Sequence, residues 1–432
     1  MRHRLDWARW LFAGVMVLSG FPGVARAESE VDVLLKKLVE KGILSDVDAK
    51  QIRQEIIETK DVRNAQLAKE IVPESARNWK WGGDIRLREE YRNQTGDGKD
   101  LNRQRIRFRY GFEAKANDQL TVGARFATAN TSTAGNPNLN SPISANQSFD
   151  TSFNHLAFWL DRAYVNYTPD VPGITKFKLS GGVIENPYWH REQLVWDDDL
   201  NFAGANVHAE EQLGPVNLFT NLGAYSLNTN IVRSSALWAV QGGTVIQPFK
   251  DSGSGELVDN LKLTGALAYY DYMNVTGKAS DTTALANAGG LSGSSSSLKD
   301  WNLLNPNFAI DSQLMGVPFG FYGDWVHNTA AFEKGNGVLV GLKVGNAQVP
   351  FDLKKGWEAG YYFEHLEPNG TFGALSFSDF GNGGTNHRGS AYWVKLAVLK
   401  NSTVGLTALN TQELSGSKNH VDTYQMDWVT KF

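Results

Sequence analysis

From Trp79 to Phe432 the chain alternates apolar and polar residues with a period of two, which is the spacing of strands with one dry face and one wet face. Ile106, Phe108, Tyr110 and Phe112 share a face, as do Val216, Leu218 and Leu222. Leu261, Leu263, Leu267 and Tyr269 form another set, then Val338, Val340, Leu342 and Val344, then Val404, Leu406 and Ala408. The pattern predicts strands near 79–92, 101–116, 119–130, 155–168, 174–185, 199–213, 215–227, 234–249, 260–272, 308–315, 319–329, 337–348, 356–367, 389–400, 402–414 and 420–432. Before Trp79 the period changes. Val31, Leu34, Leu35, Leu38 and Val39 recur at helical spacing, Gly42 ends that helix, and Ser45 with Asp48 resembles a capping box opening a second one.

The connections also alternate. Asn117-Asp118, Gly214-Pro215 and Asn401-Ser402 are tight turns, whereas longer stretches rich in Ser, Asn and Gly fall near 131–153, 186–198, 273–307 and 368–388. Short turns on one side and long loops on the other are the asymmetry of a membrane barrel, with the long loops facing outward. A β-solenoid would show a fixed repeat, and none is visible. The expected fold is therefore all-β, a transmembrane antiparallel β-barrel of about 16 strands, preceded by a short helical segment. An even strand number places both barrel ends, and so that segment, in the periplasm.

The N-terminus carries Arg2, Arg4 and Arg9, then an apolar stretch, then Ala25-Arg26-Ala27. This reads as a secretory leader cut before Glu28, too short in its apolar part to span a bilayer. The expected organisation is a signal peptide over 1–27, a helical hairpin or short coiled coil over 28–78, and a barrel over 79–432. The stripe in the helical segment is shorter than the three heptads a coiled coil needs. The segment serves either as a tether or oligomerisation element, or as a hairpin packed on itself.

Composition fits export. The chain has no cysteine, so disulfides play no part, and 43 glycines with 11% aromatic residues suit a sheet-rich fold. The leader holds four Arg and one Asp, which leaves the remainder near −7 from a formal total of −4. That mild acidity excludes a generally basic nucleic-acid surface. Trp79, Trp81, Tyr91, Tyr110, Tyr167, Trp357, Tyr361, Tyr424 and Trp428 cluster near predicted strand ends, as an interfacial girdle requires.

The polar faces hold the candidate chemistry. With Ile85, Leu87 and Tyr91 facing lipid, Arg86, Arg88 and Arg92 turn inward beside Asp84 and Glu90. Arg103, Arg105, Arg107 and Arg109 alternate with the apolar set of the next strand, and Arg125 follows on the third. On a lipid face each arginine would cost roughly 2–4 kcal/mol near the midplane, so the ladder belongs to the lumen. It either sets a field along a solute path or stiffens the wall, neutralised by Asp84, Glu90 and Glu113. The third outward loop carries Glu185, Tyr188, Trp189, His190, Glu192, Trp196 and the run Asp197, Asp198, Asp199. Folded inward, its acids would stand opposite the arginines across a constriction. Left outside, they form a solvated surface or a weak calcium site, and no metal is expected. Tyr188, Trp189 and Trp196 would pack the loop on the wall or offer faces to a sugar.

None of the eight histidines, at 3, 155, 190, 208, 327, 365, 387 and 420, sits in a metalloprotease or serine-hydrolase motif. No enzyme and no cofactor are expected.

The leader, the helical prefix, the run from Leu160 to Tyr167, the run from Val195 to Leu200 and the terminal Phe432 resemble the putative porins of Gram-negative outer membranes. The resemblance implies a 16-stranded, trimeric barrel that passes small hydrophilic solutes or ions. It maps the family's central features onto Arg162 and onto Asp197, Asp198 and Asp199. The ending Tyr424, Trp428, Phe432 is similar to the signal read by the outer-membrane assembly machinery. The phosphate-selective porins share a basic wall and helical prefix, but this chain lacks a second basic cluster in its loops. The expected function is passive diffusion between an arginine wall and an acidic third loop. The alternative is a structural or adhesive barrel with a plugged lumen.

Overall fold

The computed structural model describes residues 30–42, 44–52, 54–55, 78–96, 100–128, 143–149, 155–228, 235–248, 258–275 and 301–432. The chain forms two compact units, Met1–Arg77 and Asn78–Phe432. The expected leader and the Ser/Gly stretch at 289–297 lie outside the described residues.

In the first unit, helix α1 spans Glu30–Glu40. Gly42 closes it at φ +68°, donating its N–H to the Val39 carbonyl at 2.9 Å, a left-handed ending that glycine adopts without a Cβ penalty. Asp48 N–H then donates to Ser45 Oγ at 3.2 Å while Asp48 Oδ2 accepts Ser45 N–H at 3.3 Å. This reciprocal capping box opens a helical run over 46–52. At 11 residues, α1 falls short of two heptads, so it does not bear out a coiled coil.

The second unit is a closed antiparallel barrel. Its strands are β1 (Trp79–Gln94), β2 (Leu101–Lys115), β3 (Leu120–Thr128), β4 (Gln147–Ser148), β5 (Phe158–Tyr167), β6 (Lys176–Glu185), β7 (Asn201–Leu213), β8 (Val216–Asn228) and β9 (Ser235–Ile246), then β10 (Val258–Met273), β11 (Trp301–Leu314), β12 (Val317–Asn328), β13 (Asn336–Ala347), β14 (Gly356–Leu366), β15 (His387–Leu399), β16 (Ser402–Glu413) and β17 (His420–Lys431). Sixteen long strands pair in sequence order, and β17 returns to β1 to close the ring. The two-residue β4 adds on to β2 beyond the end of β3, at Arg105 and Ile106.

Closure is made at the last residue. Phe432 and Gly83 exchange backbone hydrogen bonds of 3.0 and 2.9 Å, and the Phe432 ring packs 6.2 Å from those of Phe108 and Tyr110. A Cβ at Gly83 would come 2.2 Å from the Arg109 carbonyl, so the seam requires glycine there.

Alternation sets the faces. Leu87, Leu160, Leu222, Trp238, Leu267, Leu396 and Met426 remain exposed on an apolar outer belt, while their strand neighbours turn inward, charged or amide-bearing beside Leu87, Leu222 and Met426 and apolar at Leu237, Ala239 and Ala268. No described helix is long and apolar enough to cross a membrane.

The largest departure from the expected bounds is at β11. β11 begins at Trp301 rather than near 308 and includes Pro306. Proline cannot donate to the ladder, and the β11–β12 register skips from Leu304↔His327 to Asn307↔Asp324. Asn305 fills the gap with its side chain, donating Nδ2 to the Trp325 carbonyl at 2.7 Å.

Candidate functional site

The arginines of β1 and β2 lie on the inner face of those strands, half-buried or buried. Each rung except Arg86 has a carboxylate among the described residues. Arg88 forms two bonds with Asp427 of β17 at 2.7 and 2.8 Å and a third with Asp379 at 2.6 Å. Arg103 and Arg105 meet Glu90 at 2.6 and 3.4 Å, and Arg92 meets it at 3.5 Å. Arg107 and Arg109 share Asp84 at 3.0 and 2.6 Å. Arg86 donates to Asn146 Oδ1 in the segment that carries β4. Beyond the ladder, Arg125 pairs with Asp161, and Arg162 with Glu185 at 3.1 Å and Asn201 Oδ1 at 2.6 Å.

The acidic loop, residues 186–200, folds into the barrel, but its three aspartates do not stand together across open space from the arginines. Asp199 joins the wall, 3.4 Å from Arg107 and 3.6 Å from Arg109. Asp197 is buried and ties two loops: Oδ2 accepts Ser378 N–H at 2.9 Å, and Asp197 N–H donates to the Leu375 carbonyl at 2.9 Å. Asp198 points to water, its side chain 69% exposed, beside His190 at 3.6 Å. The physical reason is geometric. Successive residues of an irregular loop point in different directions, and a buried carboxylate must find a donor.

The same loop is fastened to the far wall. Gln241 of β9, fully buried, accepts Trp189 N–H at 2.7 Å and donates Nε2 to the Trp189 carbonyl at 2.8 Å. Arg191 meets Asp311 of β11 at 3.0 Å, and Tyr322 Oη of β12 donates to Glu192 at 2.9 Å. Tyr322 lies flat over Gly341 of β13, where a Cβ would come 2.5 Å from its ring. With Asp199 at β2, the loop thus reaches across the lumen.

Its aromatic residues are packing groups. Tyr188 and Trp196 are each 2% exposed. Trp196 meets Phe202 and Tyr270 edge-on at 5.0 Å, and Tyr188 meets Tyr270 edge-on at 5.3 Å. Neither presents a free face to a sugar.

A second loop, residues 367–386, completes the site and has no counterpart among the expected constriction elements. Rather than facing outward, it buries Phe372, Ala374, Leu375 and Phe380 in the same interior cluster, with a 3₁₀ turn at Gly373–Leu375. Phe372 stacks on Tyr272 at 5.2 Å. This loop delivers Asp379 to Arg88 and, at 3.7 Å, to Arg105. The signal in the sequence is Phe372, Leu375, Phe377 and Phe380, more apolar surface than an outward loop would carry.

The loop acids divide by environment. Burial raises Asp379, but Arg88 and Arg105 outweigh it and hold the carboxyl well below its ordinary value. Asp199 behaves likewise, with Arg107 as its main counterweight to burial. Glu192 goes the other way: burial, opposed by the Tyr322 hydrogen bond, lifts it to about 7. Among the described residues no group of three or more His, Cys, Asp or Glu is arranged to hold a metal.

Around the ladder, seven guanidiniums (Arg86, Arg88, Arg92, Arg103, Arg105, Arg107, Arg109) face five carboxylates (Asp84, Glu90, Asp199, Asp379, Asp427). Even after pairing, the cluster keeps a positive balance.

A family model described as "Putative porin" matches residues 91–303 and 300–432. No curated protein matches the chain. Among solved structures, OprB of Pseudomonas putida at high pH aligns with a TM-score of 0.51 at 10% identity, covering 82% of this chain and 94% of that one. OmpF of Salmonella typhi, in complex with daunomycin, aligns at 0.46 and 11% identity, covering 82% and 97%. The outer membrane channel DcaP of Acinetobacter baumannii aligns at 0.44 and 12%, also covering 82% and 97%.

Proposed function

The chain belongs to the putative porin family, and from that premise we propose that it is an outer-membrane diffusion channel for small hydrophilic solutes, selective for anions. The observation that carries the selectivity is the imbalance of seven guanidiniums over five carboxylates at the ladder. A low-dielectric wall makes that residual charge felt along the lumen more strongly than it would be in water. The loops at 186–200 and 367–386 narrow the passage, fastened to the arginine wall through Asp199 and Asp379, and Arg86, Arg88, Arg103, Arg105, Arg107, Arg109, Arg125 and Arg162 border it.

The remaining parts follow the same reading. Residues 1–27 direct export, the helical prefix stays in the periplasm, and the assembly machinery reads Tyr424, Trp428 and Phe432. The barrel sits in lipid as a homotrimer and needs no cofactor.

A second reading has its own observation. Trp196, Phe372 and Phe380 pack inside the barrel with almost no exposure, so two loops fixed in this way would suit a plugged, structural barrel. Bilayer recording separates the two readings. A salt gradient across a conducting barrel should give a reversal potential of anionic sign, whereas a plugged barrel passes no current.

A further inference from the structure

Near the short-turn end of β9, β10, β11 and β13 a cavity of about 350 Å³ opens beneath the loop that crosses the lumen. That volume is at the small end of ligand pockets. Its lining is polar in a particular way. Gln247, Gln313 and Gln348 contribute primary amides, and Lys262, Lys343 and Arg191 contribute cations. Arg191 is taken up by Asp311 at 3.0 Å and Lys343 by Glu358 at 3.5 Å. Lys262 has no ion pair or hydrogen bond among the described residues, and it is half-buried.

A second observation points the same way. Asn346 also lines the cavity, and its Oδ1 is shut off from solvent with no hydrogen-bond partner among the described residues. Buried acceptors are nearly always satisfied. The residue before it, Gly345, sits at φ +81° where a Cβ would come 2.3 Å from the Trp357 carbonyl, so glycine is required there.

We propose that this cavity is a solute-binding subsite for a small hydroxylated anion of the sugar-phosphate type. Lys262 takes the charged oxygens, Asn346 turns its unpaired amide oxygen toward the cavity so that Oδ1 accepts a hydroxyl, and the three glutamines serve as paired donors and acceptors for the remaining hydroxyls. Neutral sugars lack the partner for Lys262, and inorganic phosphate is too small and lacks the ring of carbon-borne hydroxyls that Asn346 and the three glutamines would pair with together. The assignment rests on the channel reading, since it names the solute class that the channel would favour.

The test is calorimetric titration of the full-length protein in detergent with glucose 6-phosphate, glucose and inorganic phosphate. Folding of each variant is checked by its strand circular dichroism. Glucose 6-phosphate should bind at least tenfold more tightly than either of the other two. Both K262Q and the smaller change N346A should remove most of that margin. Equal binding of the three probes, or unchanged binding in both folded variants, would overturn the subsite. Bilayer recording of the same samples keeps the two claims apart. Binding without conductance would retain the subsite and reject the channel, and conductance without the preference would do the reverse.

Discussion

Arg88 and Asp379, separated by 291 positions in the chain, lie 2.6 Å apart inside the barrel. Arg88 belongs to the first strand and Asp379 to a loop between β14 and β15, so this pair fixes that loop to the arginine wall. Asp427 on the last strand holds the other edge of the same guanidinium. One side chain thereby joins the barrel seam to the inward-folded loop.

Replacing Arg88 with alanine should therefore be costly, because it strands two carboxylates. Loss of one partner of a buried pair costs about 3–5 kcal/mol. Urea unfolding of R88A in lipid micelles should show a loss of that order. R88A/D379A should lose less than the two single changes added together, as coupled neighbours do. Additive losses would place Asp379 outside Arg88's influence.

Charge reversal on the ladder should alter selectivity. R105E and R107E together turn the positive balance of the cluster negative, so the reversal potential in a salt gradient should move toward cations. An unmoved potential would take both residues off the solute path.

The seating of the 186–200 loop should depend on pH through Glu192. Burial raises it most and Asp198 adds to that, while Tyr322, which donates to it, and Lys395 and Arg191 lower it. Its value is raised to about 7 from an ordinary 4.5. The sign follows from linkage: the seated state is favoured in full below about 4.5 and loses that advantage as pH rises through 7. Trypsin cleavage after Arg191 should accelerate between pH 6 and 8, measured against a loop-free site as control for the enzyme's own pH profile. In E192Q, which stays neutral, the acceleration should vanish.

Deletion of Phe432 removes two backbone hydrogen bonds to Gly83 and the ring contacts with Phe108 and Tyr110. The amount of folded barrel in outer-membrane fractions should fall several-fold. F432Y keeps the ring and should restore it, whereas F432A should not.

Much of the barrel was legible because its physics is local. Side chains on one strand must choose lipid or water, and that choice writes a period of two into segments such as Val338 to Val344. The start of β11 was illegible for the same reason in reverse: Pro306 and its asparagines read as loop, and only the neighbour's register shows Asn305 replacing the missing donor. The inward faces of Arg103, Arg105, Arg107 and Arg109 could be deduced from the cost of the alternative. Their partners could not. Asp379 and Asp427 reach Arg88 through closure of the whole ring, a relationship that no local period records. The aspartate run was readable as acidic, but the separate destinations of Asp197, Asp198 and Asp199 depend on donors such as Ser378 N–H in a distant loop.

The most direct measurement is single-channel recording of the refolded full-length protein in a planar bilayer under a potassium chloride gradient. The account predicts discrete ohmic steps with a reversal potential of anionic sign. Silence from a barrel shown to be folded, or a cationic reversal potential, would contradict it.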